Sequence, residues 1–429
     1  MMGGVRLLCA ADIHLGRRPS RLPDVLADHA DDLDPAAGWR RLVQIALDRG
    51  VDALLLAGDV VDQDDDFFEA FADLRQGVER LTEAGIPVLG IAGNHDVQVL
   101  PRLAEAVPGF TLLGRGGRWQ DHRLRGSDGA RVRVLGWSFP ARVAPDDPLA
   151  VGLPARDHET TIGLLHADRD QTGSRYAPVR SADLQAAPVD AWLLGHVHRP
   201  DIAPGPRPIG YLGSLVGTDP GEPGPHGAWM LEVDPDGTLE LSALPLAPLR
   251  WETVEVPLDG LADPADVTVR ITAAIDRLHA ALAEAPFRAV AVGCRLLLTG
   301  RTALRAGVTQ ALAAADPRSG LYPQDGTTYF VHATSLKALP ERDLEALARS
   351  GDPVGLLARK LLLLQGRGEP AARQALLRAA GRRLAEVPQR RHLSATGAAP
   401  PDEERIAALL EAAALDALDA LLAQKASAP

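Results

Sequence analysis

Cysteine is almost absent: the 429-residue chain has two, Cys9 and Cys294. Two thiols cannot build a disulfide framework, and their scarcity suits a reducing compartment. Also lacking is any run of the roughly 18 apolar residues that a membrane-spanning helix needs. The first residues, Met1-Met2-Gly3-Gly4-Val5-Arg6-Leu7, lead to acidic Asp12 without a signal-peptide pattern. Positive charge is in deficit, with a formal net charge of −12. That deficit excludes a simple basic coat for nucleic acid, which leaves a positive footprint. It does not exclude an enzyme acting on nucleic acid, because bound cations add charge that a formal count omits. No internal repeat of fixed period shows, and no helix-turn-helix, zinc-finger or similar base-reading motif. The expectation from these absences is a soluble, acidic, cytoplasmic protein with no membrane contact. Hydrophobic residues at 46% and charged residues at 24% are ordinary for such a protein. At about 150 residues per domain, the length suggests roughly three domains.

What the chain does have is histidine. There are 12, and His14, His95, His166, His196 and His198 sit at the ends of apolar runs. Val5–Ala11, Ala53–Ala57, Val88–Ala92, Arg131–Trp137, Thr161–Leu165 and Ala191–Leu194 read as buried strands bounded by turn residues. Between them, Trp39–Gly50 reads as a helix with Leu42, Val43, Ala46 and Leu47 on one face and Gly50 as its C-cap. Phe67–Gly85 is similar. Alternating strand and helix imply a layered α/β domain. Asp201–Gly227 is rich in proline and glycine and reads as loop with one short strand near Tyr211–Ser214.

A different rhythm starts near Arg250. Trp251–Leu258, Ala289–Thr299 and Thr327–Ser335 read as strands, with helices over Pro264–Ala285 and Ala303–Ala315 between them. That order makes a small separate α/β domain. Beyond Leu339 every periodic stretch is helical: Leu376, Leu377, Ala380, Leu384 and Val387 share one face, and Ile406, Leu410, Ala413, Ala417 and Leu421 another. Residues 388–401 read as a linker between them. The expected division is 1–245, 246–337 and 338–429.

Five of the early strands end in residues that bind hard or borderline divalent metals. They run Asp12-Ile13-His14, Gly58-Asp59, Gly93-Asn94-His95-Asp96, His166, and Gly195-His196-Val197-His198. In extended chain, positions i and i+2 point the same way, so Asp12 with His14, and His196 with His198, can each grip one ion. Ligands of α/β sheets gather beyond the carboxyl ends of strands, where these residues converge. Singly, each piece is ordinary: Gly-Asp is common turn chemistry, and an Asp-x-His after a strand is commonly a turn with a surface histidine. Together they are not, because burying that many carboxylates and imidazoles costs many kcal/mol unless they are paired or coordinated.

In this order the motifs resemble those of the calcineurin-like metallophosphoesterases, over roughly residues 5–230. The continuation Asp12-Ile13-His14-Leu15-Gly16 resembles the DNA-repair exonuclease branch of SbcD-, YhaO- and Mre11-like nuclease subunits. The resemblance implies a β-sandwich flanked by helices, a layered α-β arrangement. It also implies a small α/β capping domain after Arg250 and a C-terminal helical region. It implies two divalent ions, most simply Mn²⁺, given mixed oxygen and nitrogen donors with open positions. One ion would be held by Asp12, His14, Asp59 and His198, the other by Asp59, Asn94, His166 and His196. Such a pair activates water and neutralises the oxygens of a phosphodiester. His95, beside the ligands without being one, is implied to stabilise the transition state or protonate the leaving group. Asp96 either orients a histidine or sits at a helix start. Where Mre11 proteins tend to carry a second catalytic histidine, this chain has Asp62, as bacterial relatives often do. The Asp64–Asp66 run after it reads as a solvated loop or helix start.

Arg17, Arg18 and Arg21 follow the first motif, and Arg169 and Arg175 flank the fourth; all five are candidate phosphate contacts. Seven arginines between 367 and 391 form a late basic segment, which reads as an ordinary surface face unless DNA or an acidic partner covers it. The helix at Glu403–Gln424 either packs on its own domain or docks on a coiled-coil ATPase, the SMC/Rad50-like partner that the resemblance implies. A homodimer is also compatible with it. The resulting expectation is a metal-dependent phosphodiesterase, a DNA exo- and endonuclease serving DNA repair. Its rivals are a metallophosphatase or cyclic-nucleotide phosphodiesterase, and a non-catalytic subunit that recruits an ATPase. The roughly 180 residues after Arg250 tell against the first rival, and the intact ligand set tells against the second.

Overall fold

The computed structural model describes residues 4–63, 67–126, 129–285, 287–339, 343–386 and 402–426. The expected linker at 388–401 and the Asp64–Asp66 run lie outside them, as do Arg390 and Arg391 of the basic segment. The chain divides into two compact units. The first is Met1–Val254 with Ala274–Leu296 and Pro317–Thr334; the second is Glu255–Ala273, Leu297–Asp316 and Ser335–Pro429.

Two sheets lie wholly within the first unit. One has six strands in the order Leu239–Pro245, Gly227–Val233, Val5–Ala10, Ala53–Ala57, Val88–Ile91, Phe110–Leu112. Its last four strands are parallel, and Val5–Ala10 pairs antiparallel with Gly227–Val233. The other has five strands in the order Gln120–Arg125, Arg131–Trp137, Thr160–His166, Ala191–Gly195, Ile209–Tyr211. Alternation along each strand decides which face meets what. Val5, Leu7, Cys9, Leu55, Leu89 and Ile91 pack in one core with Val132, Val134, Ile162, Leu164 and Leu193 of the second sheet. The opposite face of the first sheet, with Leu8, Ala10, Leu54 and Leu56, lies under Trp39, Leu42, Val43, Leu74, Val78 and Leu81 of two helices. Strands buried on both faces read as continuous apolar runs, which is why the central ones are visible in the sequence. Burial pushes the Cys9 thiol well above its ordinary range, so it packs as a small hydrophobe.

Those two helices are Pro35–Arg49 and Phe67–Glu83. The first starts four residues before the apolar stripe at Trp39, because Asp34 caps it, accepting from the Ala37 N–H at 2.8 Å, and Pro35 supplies the first helical turn. It ends at Gly50, in the left-handed region at φ 53.

A third sheet has four strands in the order Leu249–Pro257, Ala291–Thr299, Thr327–Leu336, Leu321–Gln324, and the chain forms helices at Val267–Leu282 and Arg305–Ala315 between them. Beyond Leu339 the elements among the described residues are helices. Pro353–Leu364 and Glu403–Ala426 meet through Val354, Leu361 and Leu418, and Arg301 grips Asp419 with two bonds at 2.9 and 2.5 Å. The late helix therefore packs on its own unit. Helix Pro370–Glu386 carries much of the basic segment. Among the described residues, no helix is long and apolar enough to cross a membrane.

Candidate metal centre

The five motif-bearing strand ends deliver their side chains to one place. Asp12, His14, Asp59 and His166 are buried, and Asn94, His95, His196 and His198 are half-buried. Three groups place one ligand atom per residue within 4.8 Å of one another: Asp12–His14–His198, Asp59–His166–His196 and His14–Asp62–His95. Turning the chain this sharply costs backbone energy. Asp12, His14 and Asp59 sit in the left-handed region at φ 49, 54 and 47, and His196 lies at φ 101. Each such position costs about 1–3 kcal/mol and persists where the surrounding structure over-determines it. Gly58, at φ 90, is required twice over, because a Cβ there would lie 2.6 Å from His166 Nδ1.

Apart from His14, each imidazole is fixed at one nitrogen, leaving the other for the cluster. His166 Nδ1 lies 3.2 Å from the Ala57 carbonyl, and its Nε2 faces Asp59 Oδ2 at 3.2 Å and Asn94 Oδ1 at 3.1 Å. His196 holds Nε2 at 3.2 Å from Asp168 Oδ1 and Nδ1 at 3.0 Å from Asn94 Oδ1. Its backbone N–H donates to both Asp12 oxygens at 3.0 and 3.1 Å. His198 places Nδ1 3.0 Å from Glu222 Oε2 and Nε2 3.0 Å from His14 Nε2. His95 Nδ1 donates to the Asp62 carbonyl at 2.8 Å, while its backbone N–H donates to Asp59 Oδ1 at 3.0 Å.

The arrangement suits cations. His14 and His198 point Nε2 atoms at each other, and a neutral pair has two lone-pair nitrogens for at most one shared proton. His14 Nδ1 is buried without a hydrogen-bond partner; Asp62 Oδ1 is only 3.0 Å away but outside hydrogen-bond geometry, so that contact is electrostatic. Burial opposes charge on His166, yet the Asp59 carboxylate outweighs it and holds the imidazole up to about 9. Asp59 in turn stays below the usual carboxylate range, its burial outweighed by His166. The donors, carboxylate and amide oxygens with imidazole nitrogens, are those that divalent ions of the first transition row accept.

Asp96 is fully buried and binds neither a helix start nor, by hydrogen bond, a histidine. Its oxygens accept the N–H groups of Gly93 at 2.8 Å, Val60 at 2.7 Å and Val61 at 3.3 Å, tying the second motif loop to the third. Burial, with Asp59 nearby, pushes its carboxyl up to about 8.

The five candidate arginines differ in their surroundings. Arg18 pairs with Asp31 at 2.8 Å, and Arg169 pairs with Asp201 and stands 4.9 Å over the Tyr211 ring. Arg17 is half-buried and Arg21 exposed. Arg175 lines an open cleft with Asn94, His95, Arg142, Val143 and Tyr176. The motifs did not reveal Asp168, Glu222, Arg142 or Tyr176, whose ring lies 5.2 Å from that of His196. Glu222 and Arg142 sit in loops without periodicity. Asp168 alone followed a motif, two residues after His166, where an i,i+2 reading would have found it.

Residues 5–200 match the family model of calcineurin-like phosphoesterases. The uncharacterised metallophosphoesterase YhaO of Bacillus subtilis is 26% identical over 251 residues, 54% of this chain and 58% of that protein. The DNA double-strand break repair protein Mre11 of Aeropyrum pernix is 38% identical over 228 residues, 49% of this chain and 53% of its own. The chain thus spans little more than half the length of these curated relatives. The crystal structure of the calcineurin-like phosphoesterase YfkN from Bacillus subtilis superposes with a TM-score of 0.35 at 13% identity, covering 56% of this chain and 90% of that one.

Proposed function

We propose that the chain, whose residues 5–200 match the calcineurin-like phosphoesterase family model, is a two-metal, Mn²⁺-dependent DNA exo- and endonuclease, the nuclease subunit of a DNA-repair complex. The observation that carries the reading is the pair of convergent ligand groups, Asp12–His14–His198 and Asp59–His166–His196. Asn94 joins the second of these groups, its Oδ1 within 3.1 Å of both His166 and His196. Relatives named as Mre11 proteins support the DNA substrate, as do Arg175 in the cleft and the candidate contacts Arg17 and Arg21 that follow the first motif. In this reading residues 1–245 are catalytic, 246–337 cap the site and 338–429 serve a Rad50-like ATPase partner.

Two divalent ions there would supply an activated water and neutralise the phosphodiester oxygens. The chain's own residues do the rest. His95, with Nδ1–H committed to the Asp62 carbonyl, keeps Nε2 for the cleft, where a proton on it is delivered to the departing sugar oxygen. Arg142 and Arg175 face the same cleft and orient flanking phosphates.

The test supplies Mn²⁺ with end-labelled single- and double-stranded DNA, beside a small phosphodiester and a small phosphomonoester. DNA is cleaved by the wild-type chain, and His95→Ala loses about 10²–10⁴-fold while still binding its ions. Hydrolysis of the monoester alone would overturn the reading in favour of a phosphatase. Intact DNA and intact small esters alike would point to a recruiting subunit.

A further inference from the structure

The two histidines of Gly195-His196-Val197-His198 are braced from behind by different carboxylates through different ring nitrogens. His196 turns Nε2 to Asp168 Oδ1 at 3.2 Å; His198 turns Nδ1 to Glu222 Oε2 at 3.0 Å. The braces are not equivalent. Asp168 is itself held by the Ser174 hydroxyl, next to exposed Arg175 and Tyr176. Glu222 belongs to a closed ring of buried groups. The Ser214 hydroxyl donates to Glu222 Oε2 at 2.8 Å, His226 Nδ1 lies 2.9 Å from Ser214 Oγ, and His226 Nε2 lies 3.1 Å from the Glu222 carbonyl. Ser214 and His226 are 1% and 4% exposed. None of the three takes part in the chemistry described above.

We propose that the Glu222–Ser214–His226 ring is a positioning device. It holds His198 in the tautomer with Nδ1–H towards Glu222 and bare Nε2 among the ligands, and so makes the Asp12–His14–His198 corner the tighter of two divalent-ion positions. The inference rests on the reading that this centre binds divalent ions. A neutral imidazole offers one ligand nitrogen, and an unbraced ring divides itself between two tautomers and several rotamers. A carboxylate on the far nitrogen removes both freedoms and raises the basicity of the near one. Glu222 does so with its carboxylate held by the Ser214 hydroxyl, a buried group that His226 Nδ1 contacts in turn, while His226 Nε2 lies against the Glu222 backbone carbonyl. Asp168 has one hydroxyl on an exposed segment, so the His196 position is the more adaptable.

The test titrates the metal-free full chain with Mn²⁺ by calorimetry, following free Mn²⁺ by electron paramagnetic resonance. Two ions bind in distinguishable steps. Glu222→Ala weakens the tighter step by about 10- to 100-fold, the usual effect of losing such a partner, and leaves the weaker step within about threefold. Asp168→Ala does the reverse. Glu222→Gln, which retains an acceptor oxygen, restores most of the lost affinity, and Ser214→Ala falls between. In the metal-free protein, ¹⁵N shifts of His198 report a pure Nδ1–H tautomer in the wild type and a mixture in Glu222→Ala. Should Glu222→Ala fail to fold, Ser214→Ala and Glu222→Gln carry the same comparison. A tight step unchanged in these variants, with DNA cleavage by the wild type intact, overturns the brace and leaves the nuclease reading standing. A wild-type chain that binds no ion overturns both.

Discussion

At the scale of single residues, the metal centre is built as much by what cannot carry a side chain as by its ligands. A Cβ on Gly93 would lie 2.1 Å from Asp59 Oδ1, so the third motif loop reaches the bridging candidate only because that position is bare. Gly93→Ala is therefore expected to displace Asp59, lower stability by about 1–3 kcal/mol and abolish two-ion binding. Thermal unfolding and Mn²⁺ titration together check it; a variant that still binds two ions contradicts it. Glycine before the ligands in three of the five motifs made them legible, since Gly-Asp, Gly-Asn-His and Gly-His-x-His stand out in sequence. Glu222 was not legible: it reaches His198 across 24 residues of proline- and glycine-rich loop, and no local pattern records that closure. A second residue carries a pH dependence away from the ligands. Burial, with Arg295 and Arg21 facing it and only Asp219 opposing them, lowers His332 from 6.5 to about 4. Its ring packs edge-on to Trp251 at 5.2 Å. The unfolded chain thus binds the proton that the folded chain refuses, and stability present above pH 6.5 is lost as pH falls towards about 4. Half-exposure limits the loss to about 1–2 kcal/mol. Denaturant melts at pH 7 and pH 4.5 should show His332→Gln losing less on acidification than the wild type; an equal loss places the acid sensitivity elsewhere.

At the scale of elements, burial decided what could be read. Ala53–Ala57 and Arg131–Trp137 match their expected spans to the residue; apolar side chains fill both faces of the first and, from Val134 on, the interior part of the second. Gln120–Arg125 was invisible: an edge strand of sequence Gln-Asp-His-Arg-Leu-Arg has only Leu124 buried, and its pairing comes from Arg131–Trp137 beyond the turn. Gly227–Val233 and Leu239–Pro245 alternate in burial, one face inward. They follow a loop-rich stretch that masks their start. The helix ends show the same division. Gly50 is readable as a C-cap, but the Asp34-Pro35 start is not, because helical periodicity begins only at Trp39. Asp34→Ala removes the cap on the Ala37 N–H and is expected to cost about 1 kcal/mol, seen as a lower Tm. That helix lies against the face of the sheet remote from the sandwich core, so Mn²⁺ stoichiometry should be unchanged. A change in stoichiometry would mean that the helix start controls the centre as well.

At the scale of the whole chain, the net charge of −12 and the proposed polyanionic substrate must be reconciled. Asp12, Asp59 and Asp62 place three carboxylates where the scissile phosphate would arrive, and without cations they repel it. Arg18 and Arg169 are already engaged by Asp31 and Asp201. The remaining candidate contacts are Arg17, Arg21 and Arg175, with Arg142 beside Arg175 in the cleft. Arg17 also lies in the field of Asp62, and Arg17 and Arg21 in that of Asp219, so these contacts are too few to hold DNA against the acidic field alone. DNA affinity should consequently be gated by metal: fluorescence anisotropy with labelled single strands shows little binding in EDTA and clear binding when Ca²⁺ occupies the centre without supporting cleavage. With ions present, roughly three to four phosphate contacts give log K against log salt a slope of about −2 to −3, shallow beside that of a basic DNA-coating protein. Substituting Arg175 by alanine should flatten the slope by about 0.7, the share of one contact to a single strand. Equal affinity with and without ions, or a slope several times steeper, would show that DNA is held by a surface other than the metal cleft, with the basic helix at Pro370–Glu386 the first place to look.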